Sequence, residues 1–197
     1  MGEENIVYFF TGNKKKYEEV KKIVESGTNG RWKVEQIKYS FLEMQTKSLK
    51  DVALKKCFDA LLFLKQNDLE GICMVDDSGL FIKALKGFPG VYSSYIMDCI
   101  GQEGILKLME NEKNREAYFQ CIIAIGNSIT DEIKLFEGKC DGKIGHVVTS
   151  HSFGFDGIFI PRGYSKTFGE DKEIKDKVSH RRKALNEAIK YLNHLKF

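Results

Sequence analysis

The opening run Ile6-Val7-Tyr8-Phe9-Phe10 constrains this chain more than any other feature. Five apolar residues without polar alternation make a strand that must be covered on both faces, the mark of a sheet flanked by helices. A Thr11-Gly12-Asn13 break follows, and Lys14 to Glu25 then sets Tyr17, Val20, Ile23 and Val24 on one helical stripe. Trp32 to Ile37 alternates as a second strand. Across Leu49 to Leu64 the residues Ala53, Cys57, Ala60, Leu61 and Leu64 step at helical spacing. Ile72 to Val75 is another short buried strand, ending in the turn-forming Asp76-Asp77-Ser78-Gly79. Lys86 to Tyr92 reads as a loop, Gly104 to Asn111 as a short helix, and Ala117 to Gly126 and Glu132 to Glu137 as neighbouring strands joined at Asn127-Ser128. Val178, Leu185, Ala188, Ile189, Leu192 and Leu195 mark a C-terminal helix with Ser179 as a cap near its start. Early alternation and a strand-rich middle predict an α/β fold with a mixed sheet.

Composition narrows the class. With 42% hydrophobic and 30% charged residues, the chain is neither disordered nor collagen-like, and its 197 residues make one to two domains' worth. Its apolar runs are too short to span a bilayer. The acidic start Met1-Gly2-Glu3-Glu4-Asn5 is not a secretory signal, so the expectation is a soluble cytoplasmic protein without a membrane partner. The 31 basic and 28 acidic residues leave a net charge of +3, too mild for a stable nucleic-acid partner. That balance leaves room for a local basic pocket for a small polyanion. The five cysteines have no CxxC or metal-type spacing and are expected as buried thiols.

Four segments carry chemistry. Thr11, Gly12, Asn13, Lys14, Lys15 and Lys16 join a strand to a helix whose free N–H groups favour an anion. Lysines sit badly with the dipole at a helix start, so three of them there point to a ligand, although a solvated first turn after a tight turn fits them equally well. Asp76 and Asp77 close a buried strand, where ligands of open α/β sheets bind, and hard carboxylate oxygens suit Mg²⁺, although a turn capped by its own side chains fits the same residues. Glu43 in its loop adds a third carboxylate. Ser152 to Gly157 interleaves aromatics with glycines, as a planar ring would need, although a glycine-bent strand with core phenylalanines fits the same residues. Lys175, His180, Arg181 and Arg182 gather near the last helix, and an arginine fork matches paired acceptors. A solvated basic helix start is the plainer alternative. His146, His151 and His194 form no zinc pattern.

Seven motifs occur in order: Thr11-Gly12-Asn13-x-x-Lys16, Glu43, Val75-Asp76-Asp77-Ser78-Gly79-Leu80, Gly87-Phe88-Pro89-Gly90-Val91-Tyr92-Ser93, Phe153-Gly154-Phe155-Asp156, Gly163-Tyr164-x-Lys166-Thr167-Phe168 and Ser179-His180-Arg181. Over nearly its whole length the chain resembles the inosine triphosphate pyrophosphatase family of noncanonical purine nucleotide pyrophosphohydrolases. The resemblance implies a single domain over 1–197 with an elongated mixed sheet flanked by helices and two lobes around a central substrate cleft. It also implies a homodimer, a Mg²⁺ cofactor, and conversion of ITP, dITP or XTP to the monophosphate and pyrophosphate. On this likeness Thr11 to Lys16 hold the triphosphate and Lys56 reaches it. Glu43 and Asp77 bind the metal, and Asp77 also activates the attacking water, with Lys16 beside it. Ser78 and Ser94 contact substrate, and Phe153, Gly154, Phe155, Asp156, Lys175, His180 and Arg181 form the nucleoside pocket. Gly157 stands where the family commonly has proline, and Gly169-Glu170-Asp171 replaces its usual Ala-Glu-Met.

The residue chemistry agrees. Water attacking the α-phosphorus of a tetra-anion needs that charge offset by cations and a carboxylate to take its proton. Hypoxanthine and xanthine carry a 6-oxo acceptor where adenine has a 6-amino donor, so pocket donors such as Arg181 separate them. Two alternatives stay open on the sequence. One is a pyrophosphatase for modified pyrimidine or guanine nucleotides, of the septum-formation-inhibitor type. The other is a non-catalytic nucleotide or RNA binder.

Overall fold

The computed structural model describes residues 5–42, 44–151 and 153–195. Its elements in chain order are β1 (Asn5–Phe10), α1 (Lys14–Gly27), β2 (Trp32–Ile37), α2 (Leu49–Gln66), β3 (Ile72–Ile82) and β4 (Pro89–Gly90). There follow α3 (Ser93–Leu108), β5 (Glu116–Asn127), β6 (Ile133–Ile144), β7 (Phe159–Pro161), α4 (Lys172–Val178) and α5 (His180–His194). The seven strands form one mixed, open sheet in the order β2-β1-β3-β5-β6-β7, with β4 beside β3. Strand β1 runs parallel to both neighbours, with Val7 opposite Val34 and Ile72, while β4 on β3 and β7 on β6 are antiparallel. The expected α/β class with a mixed sheet is what the chain forms.

Two compact units divide the chain. Unit 1 takes the elements up to Asp77, Ile122–Glu137 and the residues from Ala184; unit 2 takes Ser78–Cys121 and Gly138–Lys183. In unit 1 the apolar run of β1 is buried from Val7 to Phe10, Val7 and Phe9 completely, with Ile6 half-buried; Val20, Val24, Trp32, Leu64, Met74 and Leu192 are buried in the same unit. Trp32 satisfies its ring by donating Nε1–H to the Leu192 carbonyl at 3.1 Å. In unit 2 one core gathers Leu80, Ile82, Ile105, Met109, Phe119, Ile144, Phe155, Ile158, Phe159 and Phe168.

Four local expectations need correction. Strand β3 does not stop at Val75 but continues to Ile82, so Asp76-Asp77-Ser78-Gly79 lies within a strand. Turn-forming composition yields here because β4 presses against the strand. A Cβ on Gly79 would lie 2.2 Å from the Gly90 carbonyl oxygen, so only glycine fits. The helix expected at Gly104 starts at Ser93 and bends at Gly101, whose φ of 64° and ψ of −165° are non-helical. The last helix begins at His180, with Val178 closing the separate helix α4. Ser179 does cap it, its Oγ accepting the Arg182 N–H at 3.2 Å. All five thiols are free, but Cys99 is exposed on α3. Cys57 and Cys73 sit 3.7 Å apart, sulfur to sulfur, and their hydrogen bond and then burial push the Cys57 thiol up. Burial likewise raises Cys140 to about 11. Among the described residues no helix is long and apolar enough to cross a membrane.

Candidate active site

The first cluster belongs to unit 1 and starts at the β1–α1 turn. Thr11 Oγ1 accepts the Asn13 N–H at 3.1 Å, and Asn13 Oδ1 accepts the Lys16 N–H at 3.1 Å, capping α1. No acidic residue occupies the first turn of that helix, so its end stays positive. The cap fixes where Lys16 leaves the backbone, and its Nζ donates to Asp76 Oδ1 at 3.1 Å. From α2, Lys56 Nζ reaches Asp77 Oδ1 at 2.7 Å. Thr11, Gly12, Lys16, Lys56 and Asp76 line one hollow of about 230 Å³ with Phe10, Tyr39, Ser40, Phe41 and Val75. Lys14 and Lys15 are exposed on the first turn beside it.

Alternation along β3 separates the two carboxylates, which is why each finds a different lysine. The side chain of Asp76 is 2% exposed and that of Asp77 13%. Burial raises the Asp77 pKa, and the opposing pull of Lys56 and Lys16 leaves a net upward shift. Its Oδ2 takes no hydrogen bond from the described residues, so one oxygen of a partly buried carboxylate remains for water or a hard cation. This donor set fits Mg²⁺, which binds through one or two carboxylates and completes its shell with phosphate and water. Among the described residues no three His, Cys, Asp or Glu groups converge. Glu43, the expected second metal ligand, lies outside the described residues.

The sequence reading missed Asp76 as the partner of Lys16, and it missed the aromatic wall. Phe10, Tyr39, Phe41 and Phe63 form a nest of rings with centroids 4.8–6.3 Å apart. The aromatics of Tyr39 to Phe41, unusual in a polar connection, were the available signal.

The second cluster belongs to unit 2. Arg181 is 2% exposed, and its Nη2 donates to Ser78 Oγ at 3.2 Å. His180 is buried against Phe119, the rings 4.7 Å apart and 12° from parallel. Lys175 Nζ reaches Asp156 Oδ2 at 2.5 Å and also stands 4.9 Å over the Phe153 ring. Gly154 takes a φ of 49°, letting the chain turn between Phe153 and Phe155. Phe155 itself points into the core. Ser94 is exposed on the first turn of α3, whereas its neighbour Ser93 is buried, its Oγ accepting the Leu80 N–H and donating to the Gly90 carbonyl. Ser152 lies outside the described residues.

The two glycine departures meet here. A Cβ on Gly157 would fall 1.9 Å from the Ser150 carbonyl oxygen, and one on Gly169 would fall 3.0 Å from Gly157 Cα. Gly169 N–H donates to the Asp156 carbonyl at 3.0 Å, so the close packing of both glycines frames the backbone that carries Asp156.

Comparison with known proteins gives one answer. The chain is 44% identical to the dITP/XTP pyrophosphatase of Thermococcus kodakarensis, over 93% of this chain and 95% of that one. It is 42% identical to the dITP/XTP pyrophosphatase of Pyrococcus horikoshii, covering 94% and 96%. The solved Ham1 protein of Staphylococcus aureus superposes with a TM-score of 0.80 at 27% identity, covering 98% of this chain and all of that one. The Ham1 family model matches residues 7–191, and with that span the chain belongs to the Ham1 family.

Proposed function

We propose that this protein hydrolyses noncanonical purine nucleoside triphosphates, dITP, ITP and XTP, to the monophosphate and pyrophosphate. The observation that carries the reading is the pairing of Lys16 with Asp76 and Lys56 with Asp77 beside a capped helix start, in a chain 44% identical to a dITP/XTP pyrophosphatase.

The triphosphate meets the N-terminus of α1 and the ammonium groups of Lys16 and Lys56, which exchange a carboxylate partner for phosphate oxygens. Lys14 and Lys15 add long-range attraction. Release of Lys56 leaves Asp77 a partly buried base, and its raised pKa favours proton uptake. Asp77 Oδ2 takes the proton of the water that attacks the α-phosphorus. The bond from the α-phosphorus to the bridging oxygen breaks, and pyrophosphate leaves with that electron pair. Bound Mg²⁺, held by Asp77 and Glu43, would offset charge on the phosphate oxygens. Arg181, Lys175 and backbone N–H groups offer donors to a 6-oxo purine, with Phe153 as the stacking surface. A 6-amino base would set donor against donor, a mismatch worth about 10⁴–10⁵-fold in a site built for one partner.

Pyrophosphate release from dITP, ITP, XTP, GTP, dTTP and ATP, with and without Mg²⁺, tests the reading. Fast, Mg²⁺-dependent release from the first three supports it. Turnover of dTTP without dITP, or of none, overturns it. The homodimer is tested by sedimentation of the purified protein.

A further inference from the structure

Unit 2 holds a groove of about 780 Å³ that shares no residue with either cluster above. Lys113, Arg115 and Glu116 at the start of β5, Lys143 and His146 at the end of β6, and Ile160 of β7 line it. Its size falls in the range of small-molecule sites, about 300–1,000 Å³, and is generous for a lone inorganic ion.

The charge in this groove is unbalanced. Arg115 is half-buried and donates from Nε to the Ile144 carbonyl at 2.8 Å, from Nη1 to Met109 at 2.9 Å and from Nη2 to Gly145 at 2.5 Å. All three acceptors are neutral carbonyls, and among the described residues no carboxylate pairs with it. A guanidinium stays charged and has five N–H donors, so two remain after these bonds. Lys113 and Lys143 are exposed and make no ion pair with any described residue. The single carboxylate on the lining, Glu116, is committed to Lys83 at 2.5 Å. The three carbonyls hold the guanidinium in place without cancelling its charge, so a net positive charge faces the groove. Ile160, half-buried, supplies an apolar flank beside it.

We propose that this groove is a second binding site, for a phosphorylated small molecule of nucleotide size. Arg115, Lys113 and Lys143 surround the phosphates, and Ile160 lies against the rest of the molecule.

Calorimetric titration of ADP and of tripolyphosphate into the full chain tests this, comparing wild type with the double variant Lys113→Glu/Lys143→Glu. The substituted positions are exposed, so the thermal transition should hold. The double variant is expected to bind ADP at least tenfold more weakly. The His146 imidazole resonances should move with ADP in the wild type and stay still in the variant. A matching loss for tripolyphosphate assigns recognition to the phosphate chain, and a loss confined to ADP assigns part of it to the nucleoside; either supports the site. Equal ADP affinity in both proteins, or unmoved His146 resonances in the wild type, overturns it. Pyrophosphate release from dITP should stay within twofold in the variant. An absence of that turnover in both proteins would count against the proposed function and leave the groove result standing.

Discussion

In unit 1 the two described carboxylates of the site are each held by a lysine from a helix, Lys16 on Asp76 and Lys56 on Asp77, whereas in unit 2 the buried Arg181 reaches a serine hydroxyl. A lysine on a flexible stem changes partners readily, so the first cluster suits an arriving polyanion. A guanidinium packed to 2% exposure keeps one orientation, which suits reading a fixed pattern of acceptors. On the proposed function, charge neutralisation and bond breaking fall to the first cluster and base choice to the second, and mutants should separate along that line.

The largest effect is expected from Asp77→Asn. Turnover should fall by at least about a thousandfold while substrate binding changes severalfold at most, measured by single-turnover kinetics and direct titration. A near-normal rate would remove Asp77 as the base and redirect attention to Asp76. Next comes Lys56→Met, expected to cost about a hundred- to thousandfold in kcat/KM. It also tests the pH behaviour. Burial raises the Asp77 pKa, so the protonated form is favoured in the fold and activity should fade, as pH drops, above the ordinary carboxylate range. Lys56 opposes that shift, so its removal should move the acid limb of the pH profile higher still. An unmoved limb would break the link between this lysine and the base.

Arg181→Lys keeps the charge and loses the fork. The preference for dITP over dATP should narrow by about tenfold or more, with a smaller change in the rate on dITP itself. Equal losses on both substrates would place base choice elsewhere. The smallest catalytic effect belongs to Gly157→Ala. The new Cβ meets the Ser150 carbonyl oxygen, so about 1–3 kcal/mol of stability should be lost, read from the thermal transition. Turnover below that transition should change little.

Much of unit 1 was legible along the chain because its signals are local. The apolar run of β1, the Thr11-Gly12-Asn13 break and the stripe of α1 follow each other within twenty residues, and each element forms near its expected bounds. The extension of β3 was not legible. Asp76-Asp77-Ser78-Gly79 has turn composition, and what keeps it extended is Lys16, Lys56 and the press of Gly90, all distant in sequence. In unit 2 the motif Phe153 to Asp156 is visible, but its neighbours are not. Phe155 turns into the core, Lys175 comes over Phe153, and Gly157 meets Gly169, none of which has a periodic signature. Tyr39 and Phe41 went unread as a wall of the hollow beside Lys16 for the same reason.

The sequence by itself determined the α/β class, the helix start with its lysines after the Thr11-Gly12-Asn13 break, and the set of acids, bases and aromatics available for chemistry. These follow from hydrogen-bond valence, side-chain period and charge over a few residues. Only the tertiary structure decided which cation meets which carboxylate. Lys16 finds Asp76 across 60 positions, Lys56 finds Asp77 across 21, and Arg181 finds Ser78 across 103. Such pairings depend on how elements pack, and Coulomb attraction between groups that flexible segments hold apart leaves no trace in local order.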